Sequence, residues 1–269
     1  PKEGVDIVKE DWNNLIVLDA CRYDVFEAVS DLPGDLERRT SRAAVTWSFL
    51  EQNFAGRELH DTVYVAANAV VGTNAERLDV YKLVGLWNEI QQGDHDDVVN
   101  PETVVEETLT LADEHRDKRL IAHFLQPHTP FVRRNGERIL PDSPYRDYKA
   151  ARDGDASEDE IRAVYNENVA HVMDHVSDLI KELDSKTVVT ADHGELLGEG
   201  VGTLTKVLHP RWPVTERRNF DYGHYSNICK PELVEVPWLV IENETRRETV
   251  AETPAGVKME SRDLEKHLD

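Results

Sequence analysis

Acidic residues and histidines that could bind a metal ion stand at three points where a short apolar run of the chain ends. These are Asp19, His128 and the adjacent pair Asp192 and His193. Two carboxylates together with an imidazole are a ligand set that suits Mn²⁺ or Zn²⁺. Taken singly, Asp19 and Asp192 are explained equally well as helix caps, because Asp is common in turns and caps. A divalent-cation site is predicted only if the fold brings the three points together.

Such convergence needs strands that end at the same edge of a sheet. Residues 14–18 (NLIVL) are short, continuous and apolar, which is the pattern of a buried parallel strand. Four further strands are predicted at residues 61–66, 119–125, 187–190 and 236–241. The last has Pro237 near its start, which is typical of an edge strand. Strands that alternate with helices predict an α/β fold with a mostly parallel sheet, in which ligands bind beyond the carboxyl ends of the strands.

Two helices begin at capping residues that are visible in the sequence. Asn100 as N-cap and Pro101 as the first helical residue predict a helix that reaches about residue 115. Ser157 and Glu160 form a capping box at the start of the strongest helix, whose apolar residues recur at helical spacing. These helices alternate with the predicted strands and supply the layers that cover the sheet.

The composition of the chain is strongly acidic. Its 269 residues include 31 Lys+Arg and 53 Asp+Glu, which gives a formal net charge of −22. This charge excludes nucleic-acid binding through a basic face, because it repels phosphate backbones. No apolar run reaches the length of a membrane span and no apolar leader is visible at the start, so we expect a cytoplasmic protein. The two cysteines form neither a disulfide framework nor a metal-binding pair.

Five segments resemble, in order, the motifs of the alkaline phosphatase superfamily. They are NLIVLDACRYD (14–24), HFLQPHTPF (123–131), YNENVAHVMDH (165–175), VVTADHGELLGE (188–199), and YGH followed by VPWL (222–224 and 236–239). The branch that these segments resemble most contains sulfatases and phosphonate or phosphodiester hydrolases. The resemblance implies a three-layer α/β/α fold with a mostly parallel central sheet, in which residues 1–241 form the metallohydrolase core.

The resemblance also implies a nucleophile that binds the metal and lies at a helix N-terminus between the first helix and the second strand. Thr46 fits best, since an apolar helical period begins just after it, and Ser48 and Ser41 are the fallback candidates. The alternative is that Thr46 is only an N-cap. Sulfatases with a formylglycine nucleophile need C-x-P-x-R here, and this segment contains no Cys, so phosphoryl chemistry is favoured.

The metal ligands that the resemblance implies are Asp19, Thr46, Asp192 and His193, arranged around one divalent ion, Mn²⁺ or Zn²⁺. Ala20 stands where sulfatases that bind Ca²⁺ have another acid. The absence of that hard oxygen ligand favours a transition-metal-like site.

His128 and His224 match family positions near the substrate. The resemblance implies that they stabilise the transferring group, protonate the leaving group, or belong to a second metal site. That second site is incomplete, because Gln126 stands where an acid is typical. Asn68 is expected either to contact a phosphoryl oxygen of the substrate or to be a turn residue. His123 is expected to be a hydrogen-bonded core histidine or to support a metal ligand.

Other histidines and arginines have simpler explanations. His171 and His175 are four residues apart on a predicted helix, but the H-E-x-x-H pattern is absent, so we expect partly buried helix-surface residues. The arginine pairs at 133–134 and 217–218 are expected to be solvated, with binding of an anionic substrate as the alternative.

These observations predict a metal-dependent hydrolase or transferase of phosphate mono- or diesters with Thr46 as nucleophile. One alternative is a sulfatase-like hydrolase of sulfate esters, or a phosphotransferase that builds a surface glycan or lipid. The other is a binding protein of the same fold without activity. The substrate is a small molecule or a glycan or lipid ester, and residues 127–156 and 199–221 are expected to shape its pocket. Residues 242–269 are expected to form a polar, acidic segment with a short helix at 261–268.

The balance of basic residues leads to a prediction about salt. The basic residues are 20 Arg and 11 Lys, and scarce Lys in so acidic a chain indicates a halophile with a high-salt cytoplasm. Salt screens the self-repulsion of the net charge, so the free energy of unfolding should rise between about 0.1 M and about 1 M KCl. Urea denaturation at each salt concentration measures this change. Equal stability and equal activity at low and molar KCl would contradict a halophilic origin.

Overall fold

The structure, a computed structural model, describes residues 3–87, 98–131, 146–201, 221–226 and 228–258. Within these ranges the strands are β1 (Asn14–Asp19), β2 (Asp35–Thr40), β3 (Glu58–Ala66), β4 (Asp79–Gly85), β5 (Arg119–Pro127), β6 (Thr187–Ala191), β7 (Leu196–Leu197), β8 (Tyr222–Gly223), β9 (Glu235–Ile241) and β10 (Gly256–Lys258). The α-helices are α1 (Tyr23–Val29), α2 (Thr46–Asn53), α3 (Ala69–Thr73), α4 (Pro101–Glu114), α5 (Arg146–Asp153), α6 (Glu158–Glu182) and α7 (Pro231–Val234).

Eight of these strands form one sheet in the order β10-β4-β3-β5-β1-β6-β9-β2. The six strands from β10 to β6 are parallel. β9 is antiparallel to β6, and β2 is antiparallel to β9. β7 and β8 form a separate two-stranded pair. This mostly parallel sheet confirms the fold class predicted from the sequence.

Both faces of the sheet are covered, because alternate residues of its central strands point to opposite sides. Along β1, Ile16 and Leu18 belong to a core shared with α1, α4 and α6. Leu15 and Val17 belong to a second core shared with α2 and α3. All four side chains are at most 1% exposed, and full burial of such a side chain contributes roughly 1.5–3 kcal/mol. The result is the predicted three-layer α/β/α arrangement.

The register of the central strands aligns their carboxyl ends. Leu18 of β1 pairs with Phe124 of β5 on one side and with Ala191 of β6 on the other. The polar residues that follow these three strands therefore leave the sheet side by side. β3 lies on the far side of β5 and delivers the residues that follow Ala66 to the same edge.

One edge of the sheet differs from the sequence prediction. β9, expected to be an edge strand because of Pro237, lies between β6 and β2, so that prediction was wrong. The ladder with β6 begins only at Trp238, so the N–H that Pro237 lacks interrupts no bond to that strand. The true edge strand, β2, was not predicted, because its sequence DLERRT has no apolar alternation and most of its residues are exposed.

The chain after β9 crosses the amino ends of the central strands and then adds β10 to the sheet beside β4. The Val250 N–H donates to the carbonyl of Asp117 at 2.9 Å. Lys118 is fully buried, and its ammonium group lies 2.7 Å from a carboxylate oxygen of Glu252. The acidic composition of this segment gave no sign of the strand. The helix expected at 261–268, the arginine pairs at 133–134 and 217–218, and parts of the loops 127–156 and 199–221 lie outside the described residues.

The two predicted helix starts are confirmed. Asn100 is the N-cap of α4, which begins at Pro101. At the start of α6, Ser157 Oγ accepts from the Glu160 N–H at 3.2 Å, and the Glu160 carboxylate accepts from the Ser157 N–H at 2.8 Å. In the described part of the chain, no helix combines the length and the apolar character needed to cross a bilayer.

The capping box leads to a stability prediction. Ser157→Ala should lower the free energy of unfolding by about 1 kcal/mol, because the first turn of α6 loses the acceptor for one of its free N–H groups. Urea denaturation measures the change. Ser177→Ala in the interior of the same helix is the matched control and should be neutral or slightly stabilising, since Ala favours helix. Equal losses in the two variants would show that the cap contributes nothing specific.

Candidate active site

Asp19 is the last residue of β1, and its side chain is buried at the edge of the sheet. The chain turns sharply after it, because Ala20 adopts a left-handed backbone conformation with φ 59°. This conformation is unfavourable for a residue with a Cβ and persists where surrounding contacts maintain it. The Ala20 N–H donates to Asp192 Oδ1 at 3.1 Å, and the Ala20 carbonyl accepts from the Tyr165 hydroxyl at 2.7 Å. The turn therefore ties the end of β1 to the end of β6.

Asp192 and His193 follow β6 and are oriented by backbone groups. Asp192 Oδ1 accepts from the N–H groups of Ala20 and His193, the latter at 2.8 Å. His193 Nδ1 lies 2.8 Å from the Gly194 carbonyl, to which it must donate, so Nε2 carries the lone pair. A Cβ at Gly194 would lie 2.2 Å from the Glu232 carbonyl oxygen, so only glycine lets this loop pack against α7.

The four side chains expected to share one ion lie together. His193 Nε2 is 3.3 Å from Thr46 Oγ1, 3.5 Å from Asp19 Oδ1 and 3.4 Å from Asp192 Oδ2. Tetrahedral donors at roughly 2.1 Å from a shared ion would be about 3.4 Å apart, so these distances suit one ion. The N-cap of α2 is Val45 and Thr46 is the first helical residue, so the alternative of Thr46 as N-cap is wrong.

The two fallback serines are less well placed than Thr46. The Ser41 hydroxyl is buried and donates to the backbone carbonyl of Asp192. Ser48 lies two residues after Thr46 in α2, which places it about 200° around the helix. The geometry therefore favours Thr46 among the three hydroxyl groups.

Asn68 links the end of β3 to this cluster. Its Oδ1 accepts from the Val70 N–H at 2.7 Å and caps α3, which fixes the orientation of the amide. Its Nδ2 then donates to Asp19 Oδ2 and, at 3.4 Å, to Thr46 Oγ1. Asn68 is thus a turn residue and also a contact of two residues at the candidate site.

The cluster has the features that a divalent cation requires. Asp19 Oδ1 and Asp192 Oδ2 are buried and lack a hydrogen-bond partner among the described residues. A buried acceptor left unpaired costs about 1–3 kcal/mol, and more when it is charged. Carboxylate, hydroxyl and imidazole donors at this spacing suit Mn²⁺ or Zn²⁺, so the residues present fit such an ion.

The electrostatics of the cluster agree with this fit. Burial raises the pKa of Asp19 well above its usual value, and the carboxylates of Asp192 and Glu195 raise it further. Burial lowers the pKa of His193 well below its usual value, and the nearby His224 adds to this effect. A bound divalent cation would offset the raised pKa of Asp19, because it favours ionised carboxylates, and it would favour the same neutral imidazole of His193 that burial favours.

A second group of potential ligands, His128, Glu195 and His224, lies next to the first, and His123 lies within ligand distance of Asp19 and Asp192. The centroid of the His224 ring is 4.4 Å from that of His193 and 5.2 Å from that of His128. His224 Nδ1 lies 3.1 Å from Glu195 Oε1, and His128 Nδ1 lies 2.6 Å from the Thr129 carbonyl. With each Nδ1 engaged, Nε2 is the atom that each ring can offer to a substrate or an ion.

Protonation differs between the members of this second group. Burial would raise the pKa of Glu195, but His224 outweighs burial and the pKa is lowered. Burial would lower the pKa of His224, but the Glu195 carboxylate outweighs it and the pKa is raised. Burial lowers the pKa of His128, with His224 adding to the effect. These directions favour an ionised Glu195 paired with His224 and disfavour the charged form of His128.

Arg22 holds the loop after His193 against the end of β1. Its guanidinium donates to both carboxylate oxygens of Asp24 at 2.8 and 2.6 Å and to Glu199 at 2.6 Å. It also donates to the backbone carbonyl of Glu195 at 3.3 Å. Such bidentate, charge-assisted bonds are strong and directional, so the R-x-D residues after Asp19 help to fix the D-H-G-E loop.

One residue of the site, Glu195, was not singled out from the sequence, and the expectation for His123 needs refinement. Glu195 is the fourth residue of D-H-G-E, and it supplies the acid that Gln126 does not; the Gln126 amide instead donates to the Val99 carbonyl at 3.0 Å. His123 is fully buried in β5 and its Nδ1 lies 2.8 Å from the Tyr64 hydroxyl. Its Nε2 has no hydrogen-bond partner in the described structure, so a fully hydrogen-bonded core histidine is wrong, whereas the other expectation for His123, support of a metal ligand, stays a prediction. The D-H-G-E motif could have identified Glu195.

His171 and His175 lie on α6, where they are half-buried with ring centroids 5.0 Å apart. They belong to neither group of potential ligands. This placement is the helix-surface position expected from the sequence.

Comparison with known proteins gives a family match and one curated relative. The family model described as Sulfatase matches residues 50–262, so Asp19 and Thr46 precede the matched region. The low-salt glycan biosynthesis sulfotransferase Agl7 of Haloferax volcanii is 30% identical over 141 residues. The matched segment is 52% of this chain and 30% of that protein, so it spans less than a third of the relative's length. A halophilic relative agrees with the origin indicated by the composition.

Solved structures show the same fold at low sequence identity. The C-terminal periplasmic domain of phosphoethanolamine transferase EptC from Campylobacter jejuni has a TM-score of 0.56 and 15% identity, covering 86% of this chain and 78% of that one. The 2-O GAG sulfatase BT1596 has a TM-score of 0.51 and 13% identity, covering 88% of this chain and 65% of that one. These likenesses establish the fold, which is the one expected from the resemblance to the alkaline phosphatase superfamily.

Proposed function

The chain belongs to the Sulfatase family, and on this basis we propose that it hydrolyses or transfers phosphate ester groups with Thr46 as the nucleophile. The observation that carries the proposal is the position of Thr46 Oγ1, which lies at the first turn of α2, 3.3 Å from His193 Nε2. The two unpaired carboxylate oxygens of Asp19 and Asp192 beside it support a charged cofactor at the same point.

Four residues would hold a divalent cation, Mn²⁺ or Zn²⁺: Asp19, Thr46, Asp192 and His193. When bound, such an ion supplies Lewis-acid chemistry that lowers the pKa of a hydroxyl and neutralises charge on a transferring group. The second group, His128, Glu195 and His224, could hold another ion, which makes one ion the minimum for the proposed site.

The residues around Thr46 orient its hydroxyl for attack. The Asn68 amide donates to Thr46 Oγ1 at 3.4 Å while its own orientation is fixed by Val70, so the hydroxyl oxygen is held in place. The first turn of α2 presents backbone N–H groups beside this oxygen, and such groups stabilise negative charge. With its proton lost to solvent, Thr46 Oγ1 attacks phosphorus in line, and the new bond of the phosphothreonine ester forms as the bond from phosphorus to the leaving oxygen breaks, which releases the alcohol.

The imidazoles of His128 and His224 are placed to act on the transferring group and on the leaving group. Glu195 engages Nδ1 of His224 and the Thr129 carbonyl engages Nδ1 of His128, so each ring presents Nε2. One ring stabilises the transferring group or protonates the departing oxygen. Water, or an acceptor hydroxyl in a transferase, then attacks the phosphorus and breaks its bond to Thr46 Oγ1, which releases phosphate or the new ester, and the proton that the attacking group loses restores the Thr46 hydroxyl.

The choice between phosphate and sulfate esters rests on the nucleophile. The segment around Thr46 lacks the Cys from which formylglycine is made, which supports phosphoryl rather than sulfuryl hydrolysis. The family match and the sulfotransferase relative favour a second candidate, hydrolysis or transfer of a sulfate ester without formylglycine. In either case we propose that the substrate is a small molecule or the ester of a glycan or lipid.

Substitution of the nucleophile tests the mechanism. Thr46→Ala should reduce kcat for aryl phosphate esters roughly 10³-fold or more in Mn²⁺ or Zn²⁺, because no covalent intermediate can form. Asp192→Asn should also abolish turnover, and Thr46→Ser should retain part of it. Ser48→Ala is the matched control and should resemble wild type. A near-wild-type kcat in Thr46→Ala together with a large loss of kcat in Ser48→Ala would identify Ser48 as the nucleophile instead.

A panel of matched esters tests the substrate class. With aryl phosphate monoesters, phosphate diesters and sulfate esters that share one leaving group, kcat/KM should be higher for a phosphate ester by about tenfold or more. A preference for the sulfate ester would favour the second candidate. If the protein turns over none of these esters, and elemental analysis of protein purified without chelator finds no bound metal, the chain would be a binding protein that has lost ester hydrolysis and transfer.

A further inference from the structure

A buried histidine that the proposed mechanism does not use lies directly beneath the cluster. His123 is in β5, next to β1 and β3, and is 0% exposed. Its Nε2 is buried and has no hydrogen-bond partner in the described part of the chain. An unpaired buried polar atom is destabilising, so this position of a histidine needs a reason.

The neighbouring tyrosine determines which ring nitrogen carries the proton. The Tyr64 hydroxyl lies 2.8 Å from His123 Nδ1, and this is the one hydrogen bond that the described structure gives the hydroxyl. Tyr64 is fully buried, so its O–H would lack an acceptor unless it donates to Nδ1. His123 Nδ1 is therefore the acceptor, and the proton of the neutral ring is on Nε2.

The Nε2–H faces a carboxylate of the candidate cation site. His123 Nε2 lies 3.9 Å from Asp192 Oδ2, the oxygen that the backbone leaves unpaired. This distance exceeds the roughly 3.2 Å of a usual N–H···O bond, so a bond here requires the Asp192 carboxylate and the His123 ring to move closer together. Phe49 packs edge-on against the His123 ring with centroids 6.4 Å apart, and helps to keep the ring in this orientation.

We propose that His123 is a positioning residue of the cation site: it donates from Nε2 to Asp192 Oδ2, Tyr64 fixes its tautomer, and it is not itself a metal ligand. A nitrogen that bears a proton offers no lone pair to a cation, which separates His123 from His193, whose Nε2 bears none. Residues that orient a ligand from behind contribute 10–100-fold to metal affinity. This inference rests on the proposed cation site of Asp19, Thr46, Asp192 and His193.

Metal affinity and ligand count test the inference without using turnover. The Kd for Mn²⁺ is measured by chelator competition, and the number of imidazoles bound to Mn²⁺ at one equivalent by pulsed electron paramagnetic resonance. His123→Leu should weaken Mn²⁺ binding 10–100-fold and leave the number of bound imidazoles unchanged. His123→Gln keeps an N–H donor toward Asp192 and an acceptor for Tyr64, and should restore the affinity to within several-fold of wild type. His175→Leu on α6 is the control for loss of a distant histidine and should bind as wild type does.

The other outcomes overturn the inference in distinguishable ways. Loss of one bound imidazole in His123→Leu, or equal losses in the Leu and Gln variants, would make His123 a ligand. Unchanged affinity in His123→Leu would leave it a core residue only. If His123→Leu does not fold, Tyr64→Phe replaces it, and unchanged affinity there would refute the fixed tautomer, whereas a weaker Mn²⁺ affinity would support it. A wild-type protein that binds no Mn²⁺ would overturn both this inference and the proposed cation site. Wild-type Mn²⁺ affinity in all the variants would overturn this inference alone and leave the proposed function standing.

Discussion

Burial of negative charge at one edge of the sheet is the constraint on which the site depends. Asp19, Asp192 and Glu195 are each at most 1% exposed, and an uncompensated buried carboxylate costs several kcal/mol. Each acid has partial compensation: an amide for Asp19, two backbone N–H groups for Asp192, and the imidazole of His224 for Glu195. One oxygen of Asp19 and one of Asp192 stay unpaired within the described residues. A bound divalent cation would supply the compensation that these neighbours do not.

The same constraint accounts for local features of the backbone that are unfavourable by themselves. Ala20 has a left-handed backbone conformation, which directs its N–H to the Asp192 carboxylate. Gly194 has no Cβ, so its loop can pack closely against α7. Arg22 is buried between two acids and fixes the loop that contains Glu195. None of these residues holds a reacting group. Each orients the chain so that the acids converge, which is why they cluster within a few residues of the motif aspartates.

The parts of the fold that could be predicted are those with a strong local signal. The apolar run before Asp19 and the capping box at Ser157 each identified an element, and parallel strands then required the polar residues after them to meet. β2 could not be predicted, because an edge strand with few buried residues lacks an apolar period. The surroundings of His123 could not be predicted for a related reason: Tyr64 and Asp192 come from other strands, and only the register of the sheet brings them near its ring.

An acidic chain can bind an anionic substrate, because the repulsion by its net charge and the field inside the buried site act over different distances. A charge of −22 spread over the chain repels an anion through solvent, but the screening length falls from about 10 Å at 0.1 M salt to about 3 Å at 1 M. At molar salt, that repulsion therefore fades before an anion reaches the carboxyl ends of the strands. Inside the buried site screening is weak, and the sign of the field there depends on whether a cation compensates Asp19 and Asp192. Without a cation, the carboxylates of Asp19 and Asp192 repel a phosphate or sulfate group. The same two carboxylates would bind the cation whose positive charge attracts that group.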